Sequence, residues 1–197
     1  MKNVCVIGLG FVGLTLALAL AKRNFKVIGI EKNNNLLNNL KRGRPNFFEP
    51  DLENQLKKNI KNKKLSISSE IPSSWNGGVF FITVGTPLDK FNKPRFDMIK
   101  TASNEISKVM IKNDLIILRS TVSVSTSRNI VKPILEKSNK NFKLAFCPER
   151  TAEGNAMKEL RYLPQIISGL DKQSLLSAKQ LFKKITKKIV PVSSLET

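Results

Sequence analysis

Apolar residues in this chain fall into short continuous runs, separated by longer stretches in which they recur every three or four positions. The first pattern suits strands buried on both faces, the second amphipathic helices. Residues 3–7 are short, apolar and largely β-branched, a buried strand. Residues 11–23 carry Leu and Ala at helical density without Pro, a buried helix, and 25–30 form a second strand ending at Glu31. Asn33 or Asn34 can cap a helix running to about Arg42, with Gly43 as its stop. After a loop over 44–50, Asp51 starts a helix over 52–62, with Leu52, Leu56 and Ile60 on one face. Strands are expected at 64–68 and 79–84. A long polar loop then leads to a helix opened by Phe96 and Asp97, with Asp97 as cap. Further strands at 114–118, 142–147, 164–168 and 188–192 alternate with helices ending near Glu136, Arg161 and Lys184. Strand–helix alternation of this kind predicts an α/β fold, a doubly wound parallel sheet with its sites at the carboxyl ends of the strands.

The first thirty residues carry the most specific motif. Gly8-Leu9-Gly10-Phe11-Val12-Gly13 lies between a strand and a helix, and the next strand ends in an acid, Glu31. That is the context a dinucleotide-binding turn requires. Gly8 allows the tight turn, Gly10 lets the backbone approach a pyrophosphate, and Gly13 lets helix and strand pack closely. The helix N-terminus offers N–H groups and a partial positive charge to the phosphates. The Glu31 carboxylate can accept from ribose hydroxyls and disfavours a 2′-phosphate, so the expected cofactor is NAD rather than NADP.

Composition narrows the remaining classes. At 197 residues, 41% of them hydrophobic, the chain can bury one large core. Met1-Lys2-Asn3 leads directly into the first strand without a signal sequence, and no run is long and apolar enough to span a membrane. The two cysteines, Cys5 and Cys147, fall in separate expected strands, which argues against a disulfide framework and suits a reducing cytoplasm. Without histidine or a cysteine cluster no metal site is expected, and histidine acid–base chemistry is excluded. The formal charge of +19 could serve a nucleic acid. The lysines read as scattered, and the densest run, from Lys57 to Lys64, has no interleaved aromatics, so no nucleic-acid partner is expected; with no spanning run, no membrane partner is expected either.

Candidate chemistry gathers where strands end. Gly85-Thr86-Pro87, Ser120-Thr121-Val122 and Pro148-Glu149-Arg150 each close an expected strand, on the edge where the glycine turn lies. Thr86 and Thr121 present hydroxyls able to bond a ribose, a phosphate or a water, or simply to cap a helix. The run Glu149-Arg150-Thr151-Ala152-Glu153 brings two carboxylates and a guanidinium to the same edge. It reads either as an Arg–Glu pair stapling a loop or as a base and an anion fork beside a substrate.

Taken in order, the glycine turn, Val84-Gly85-Thr86-Pro87-Leu88-Asp89, Ser120-Thr121-Val122 and Cys147-Pro148-Glu149-Arg150-Thr151-Ala152-Glu153-Gly154 resemble the UDP-glucose/GDP-mannose dehydrogenase family. Glu49-Pro50-Asp51-Leu52 and Leu163-Pro164-Gln165-Ile166-Ile167-Ser168-Gly169 resemble further family segments. Pro-Glu-Arg, in place of Pro-Glu-Phe, resembles the branch acting on UDP-N-acetylhexosamines such as UDP-N-acetylmannosamine. The resemblance implies oxidation of a sugar C6 alcohol to a uronate in two NAD-dependent steps, for polysaccharide precursors. In the family a nucleophilic Cys holds the aldehyde as a thiohemiacetal, and water later hydrolyses the thioester. It further implies that Phe11, Val12, Glu31, Thr86 and Thr121 contact NAD, that Thr121 and Glu153 position and activate water, that Arg150 and Thr151 touch the nucleotide sugar, and that Glu149 supports them.

Three departures follow from the same comparison. Ser125 stands where the family often has Gly, and Leu36 where a basic residue often assists the cofactor, with Lys32 as a substitute. Residues 1–197 correspond to the NAD-binding N-terminal domain. The family's connecting helix, which carries a catalytic Lys and Asn and makes most of the homodimer contact, its nucleophilic Cys and its UDP-binding domain are not matched. The expectation is therefore an oxidoreductase domain that binds NAD without turning over alone. A non-catalytic NAD-binding module or gene remnant, a UDP-glucose dehydrogenase, and a small-hydroxyacid dehydrogenase are the alternatives.

Overall fold

The computed structural model describes residues 3–196. The chain runs through β1 (Asn3–Ile7), α1 (Phe11–Lys22), β2 (Lys26–Ile30), α2 (Asn34–Lys41), α3 (Leu52–Lys61), β3 (Leu65–Ser68), β4 (Gly78–Ile82), α4 (Asp97–Val109) and β5 (Leu115–Leu118). A π-helical turn (Ser127–Val131) then leads into α5 (Lys132–Glu136), followed by β6 (Lys143–Phe146), α6 (Ala156–Tyr162), β7 (Gln165–Gly169), α7 (Lys172–Phe182) and β8 (Ile189–Pro191). The strands form one sheet in the order β3-β2-β1-β4-β5-β6-β7-β8. The continuous apolar runs are explained by burial on both faces. Val4, Val6, Phe81 and Ile117 point into a core shared with α1 and α7, while Cys5, Phe80, Ile82 and Ile116 point into one shared with α4 and α5.

β1 to β6 are parallel throughout, in the predicted sense. The sheet is not parallel to its end: β7 runs antiparallel to β6, pairing Phe146 with Ser168 and Ala145 with Gly169. The connection stays at one edge of the sheet, because the Gln165 side chain donates to Pro148 O (3.1 Å) just where β6 ends. β7 therefore starts beside the end of β6 and must run back. β8 is parallel to β7. The apolar pattern of a buried strand carries no sign of its direction, so this reversal is invisible in it.

Helix starts follow the expected chemistry at two places. Asn33 accepts from Leu36 N (3.0 Å) and Asp171 from Ser174 N (2.7 Å). Asp97 is not a cap. It is the first residue inside α4, where its carboxylate suits the positive helix end and is held by Arg95 Nε and Nη2 at 2.9 and 2.7 Å. Ser125 adopts the left-handed backbone that a glycine would favour, with φ of +69°.

This topology gives the sheet two unlike edges. The loops after β1, β4, β5 and β6 meet at one. The helix-to-strand connections into β2, β3, β5 and β6 meet at the other.

Candidate functional site

The turn after β1 is built by close approach. Gly8 has φ of +91°, and its N–H donates to Ile30 O at 2.8 Å, continuing the β1–β2 ladder. A Cβ on Gly13 would lie 1.8 Å from Gly8 O, so only glycine lets α1 pass at this distance. Thr83 Oγ1 fastens the turn to β4 through Ile7 O and Gly8 O, each 2.8 Å away. At Gly10 an added Cβ would meet nothing within 4 Å, because this backbone faces open space. α1 begins here with no side chain capping it and no acid in its first turn. Its N–H groups and the positive end of its dipole are thus presented to an anion.

Glu31 stands at the end of β2 beside this turn. Oε2 accepts from Leu9 N (3.0 Å) and Oε1 from Asn33 N (2.8 Å). Two backbone donors fix the carboxylate, and its remaining lone pairs are available to hydroxyls. Gly8, Gly10 and Glu31 line a cleft of about 660 Å³ with apolar walls from Leu36, Val84 and Met98. The residues present fit a dinucleotide: an apolar slot, an acceptor for a ribose and an uncapped helix start for a pyrophosphate. Lys32, also on this cleft, is engaged by Glu105 at 2.8 Å, while Leu36 contributes only apolar wall.

Thr86 and Thr121 are brought together directly, Thr86 Oγ1 donating to Thr121 O at 2.7 Å. Ser120 Oγ donates to Val84 O (2.7 Å) in the same seam, so the loops after β4 and β5 are stitched to each other. The Phe11 ring packs edge-on against Phe47, with centroids 5.3 Å apart, and Val12 is half-buried. Thr86, Thr121, Phe11 and Val12 lie beside the cleft rather than among its lining residues.

The loop after β6 is held by carboxylates. Glu149 does not pair with its neighbour Arg150. Its Oε2 is taken by Arg119, from Nη2 at 2.5 Å and Nε at 3.1 Å, and its Oε1 accepts from Arg150 N (2.7 Å) and Thr151 N (3.0 Å). Arg119, fully buried, also donates to Cys147 O (3.0 Å) and Gln165 Oε1 (2.8 Å). Further along, buried Glu49 accepts from Gly154 N (2.8 Å) and Met157 N (3.1 Å), and Glu159 accepts from Ala152 N (2.7 Å). The loop backbone is thereby fixed, and the exposed Arg150 and Glu153 make no ion pair among the described residues. Thr151 Oγ1 is enclosed and unpartnered.

Arg119, Glu49, Thr83 and Gln165 were not singled out from the sequence as candidate site residues. The available signal was an arginine closing the otherwise wholly apolar Leu115–Leu118 strand. Neither cysteine belongs to the site. Burial pushes the Cys147 thiol up to about 12, against the opposing pull of Arg119 and a hydrogen bond to Ser168. Burial, with the nearby Glu105 charge added, raises Cys5 still more firmly out of the reactive range.

A doubly wound sheet, a Gly8–Gly13 turn against an uncapped helix start, and an acid fixed at the end of β2 define a dinucleotide-binding domain. Residues 2–186 match the NAD-binding domain of the UDP-glucose/GDP-mannose dehydrogenase family, and the chain belongs to that family. The domain's cofactor is NAD. The chain is 33% identical over 187 residues to a UDP-N-acetyl-D-mannosamine dehydrogenase of Methanococcus maripaludis strain C7, covering 93% of this chain and 42% of that protein. It is likewise 33% identical over 194 residues to one from Campylobacter jejuni, covering 92% and 47%. Among solved structures, UDP-D-ManNAc dehydrogenase from Pyrococcus horikoshii superposes with a TM-score of 0.93 at 25% identity, over 98% of this chain and 47% of that one. GDP-mannose dehydrogenase from Pseudomonas aeruginosa superposes at 0.90 and 27%, over 100% and 47%. The chain spans a little under half the length of these relatives. No helix among the described residues is long and apolar enough to cross a membrane.

Proposed function

We propose that this chain forms the NAD-holding wall of a nucleotide-sugar 6-dehydrogenase whose substrate is a UDP-N-acetylhexosamine. The observation that carries the reading is the fixed loop after β6, which leaves the exposed Arg150 and Glu153 side chains without ion pairs while Glu149 and Glu49 hold its backbone. The relatives named above for UDP-N-acetyl-D-mannosamine support the choice of sugar. NAD, when bound, supplies a hydride acceptor. The N-terminus of α1 holds its pyrophosphate, Glu31 accepts from its ribose hydroxyls, and Thr86 with Thr121 borders its reactive end. Arg150 offers a fork to substrate oxygens, and Thr151 belongs to the same substrate-facing segment. Glu153, exposed beside them, takes a proton from water. Glu149 acts through the backbone it positions. Two free thiols suit the reducing cytoplasm.

Because both thiols are sealed in the core, neither Cys5 nor Cys147 is the nucleophile of the second oxidation. In this reading residues 1–197 are the NAD-binding domain, and the group that traps the aldehyde comes from another segment. The test is to mix the 197-residue chain with NAD and UDP-N-acetylmannosamine and follow NADH absorbance. NAD binding without NADH formation is expected. Steady NADH production would overturn the assignment of the missing nucleophile. NADH formation with UDP-glucose alone would overturn the choice of sugar.

A further inference from the structure

Some lysines stand at the cofactor edge, among them Lys32 on the cleft and Lys187 and Lys188 where β8 begins, but the fold gathers a larger group at the opposite edge, where few acids accompany it. At the edge opposite the cleft, Lys26, Lys64 and Lys143 enter β2, β3 and β6, and Lys63, Lys112 and Lys140 occupy the turns before strands. The proximity of these connections is direct, since Lys140 Nζ donates to Met110 O and Asn113 N to Asn141 O. Helix ends such as Lys22 and Lys61 add to them. Favourable interaction with the helix dipole accounts for the helix-end lysines, but not for those at strand starts and in turns. The acids at this edge do little to offset the charge. Asp114 is buried and occupied by Trp75 Nε1, Gly78 N and Ile111 N, Glu136 is paired with Lys132, Asp171 caps α7, and Asp51, in one pocket with Lys22, Lys58 and Lys64, is held by the Asn54 and Gln55 amides. Other carboxylates, among them Glu31, Glu49, Asp97 and Glu149, lie at the cofactor edge.

This polarity is the reverse of what nucleotide capture calls for. A field that steered NAD and a nucleotide sugar would be concentrated at the cleft. We propose that the basic edge docks on an anionic phospholipid surface, leaving the cofactor edge facing solvent. Lysines, compact point charges on long stems, suit a diffuse layer of headgroups, whereas discrete phosphate sites favour arginine forks. No exposed aromatic ring stands among the described residues of this edge to stack a base: Phe25 and Trp75 are buried, and the exposed Phe48, Phe91 and Tyr162 lie elsewhere. Ile111, 41% exposed beside Lys112, offers an apolar tip to the headgroup layer. The expectation of no membrane partner rested on the lack of a spanning segment, which surface docking does not need.

The experiment is co-sedimentation of the full 197-residue chain with vesicles of two parts phosphatidylcholine to one part phosphatidylglycerol, and with phosphatidylcholine alone. Binding to the anionic vesicles only, weakening as salt is raised, is expected. Lys26→Gln/Lys61→Gln/Lys112→Gln should lower the partition coefficient by about a hundredfold, at about fivefold per lysine. The charge-matched control Lys90→Gln/Lys93→Gln/Lys158→Gln, on the loop after β4 and on α6, should change it less than about threefold. Far-UV circular dichroism establishes that both variants fold. Equal losses in the two variants, equal binding to neutral vesicles, or tighter binding to duplex DNA than to the anionic vesicles would each overturn the proposal.

Discussion

Replacing Arg119 by methionine removes the one cation from a sealed polar cluster. Arg119 has no solvent exposure, and the Glu149 side chain it pairs with is 7% exposed. The Glu149 carboxylate would then keep only two backbone N–H donors, while Cys147 O and Gln165 Oε1 would each lose a donor. The guanidinium also lies 5.3 Å from the Phe182 ring centroid, and that contact would go with it. Breaking a buried ion pair from one side costs about 3–5 kcal/mol, chiefly because a charge is left uncompensated. Against a total stability of about 5–15 kcal/mol, that is a large share. Urea unfolding of the parent, Arg119→Met, Glu149→Leu and the double variant, followed by circular dichroism, measures it. Each single change should be severe. The double change should cost less than the sum of the two, because both charges leave together. A loss below about 1 kcal/mol for Arg119→Met, or strict additivity, would refute the view that this pair is a coupled buried unit.

Gly13→Ala places a methyl 1.8 Å from Gly8 O, so it should lose about 1–3 kcal/mol in denaturant unfolding and bind NAD poorly. Gly10→Ala, which meets nothing, should unfold with the parent. Neither thiol should react with a disulfide reagent at neutral pH until denaturant is added. Because folding raises both thiol pKa values above the unfolded value of 9.0, the unfolded chain binds fewer protons above that pH, and stability falls as pH rises past 9. Comparison with Cys5→Ala/Cys147→Ala should assign about 1 kcal/mol per thiol to this fall by pH 10. Ser125→Gly should raise stability by about 0.5–1 kcal/mol, because the native φ of +69° strains a residue with a Cβ; a decrease would show that the Ser side chain matters more than the backbone.

Much of the architecture was legible because its physics is local. Apolar runs bounded by Gly, Asn and Asp located β1 to β6, and the spacing from Gly8 to Glu31 placed the cofactor turn against α1. Features that depend on pairing between distant segments were not legible. The antiparallel sense of β7 depends on Gln165 reaching Pro148 O. The carboxylates holding the loop after β6 include Glu49, which lies 105 residues before Gly154 and reads locally as an ordinary loop acid. Arg119 hides for the same reason, since its partners come from β6 and β7. The lysines misled in the opposite direction. Many of them, though spread along the chain, meet at one edge because the connections into β2, β3, β5 and β6 return there.

The central claim is that the turn from Gly8 to Gly13, together with Glu31, holds NAD on this chain. Calorimetric titration of the 197-residue protein with NAD and with NADP tests it most directly, alongside Gly10→Trp. Saturable NAD binding is expected, with NADP at least about tenfold weaker because its 2′-phosphate meets Glu31. Gly10→Trp should abolish NAD binding without moving the unfolding midpoint, since its side chain enters open cleft. NADP binding as tight as NAD, or undiminished NAD binding by Gly10→Trp, would contradict the account.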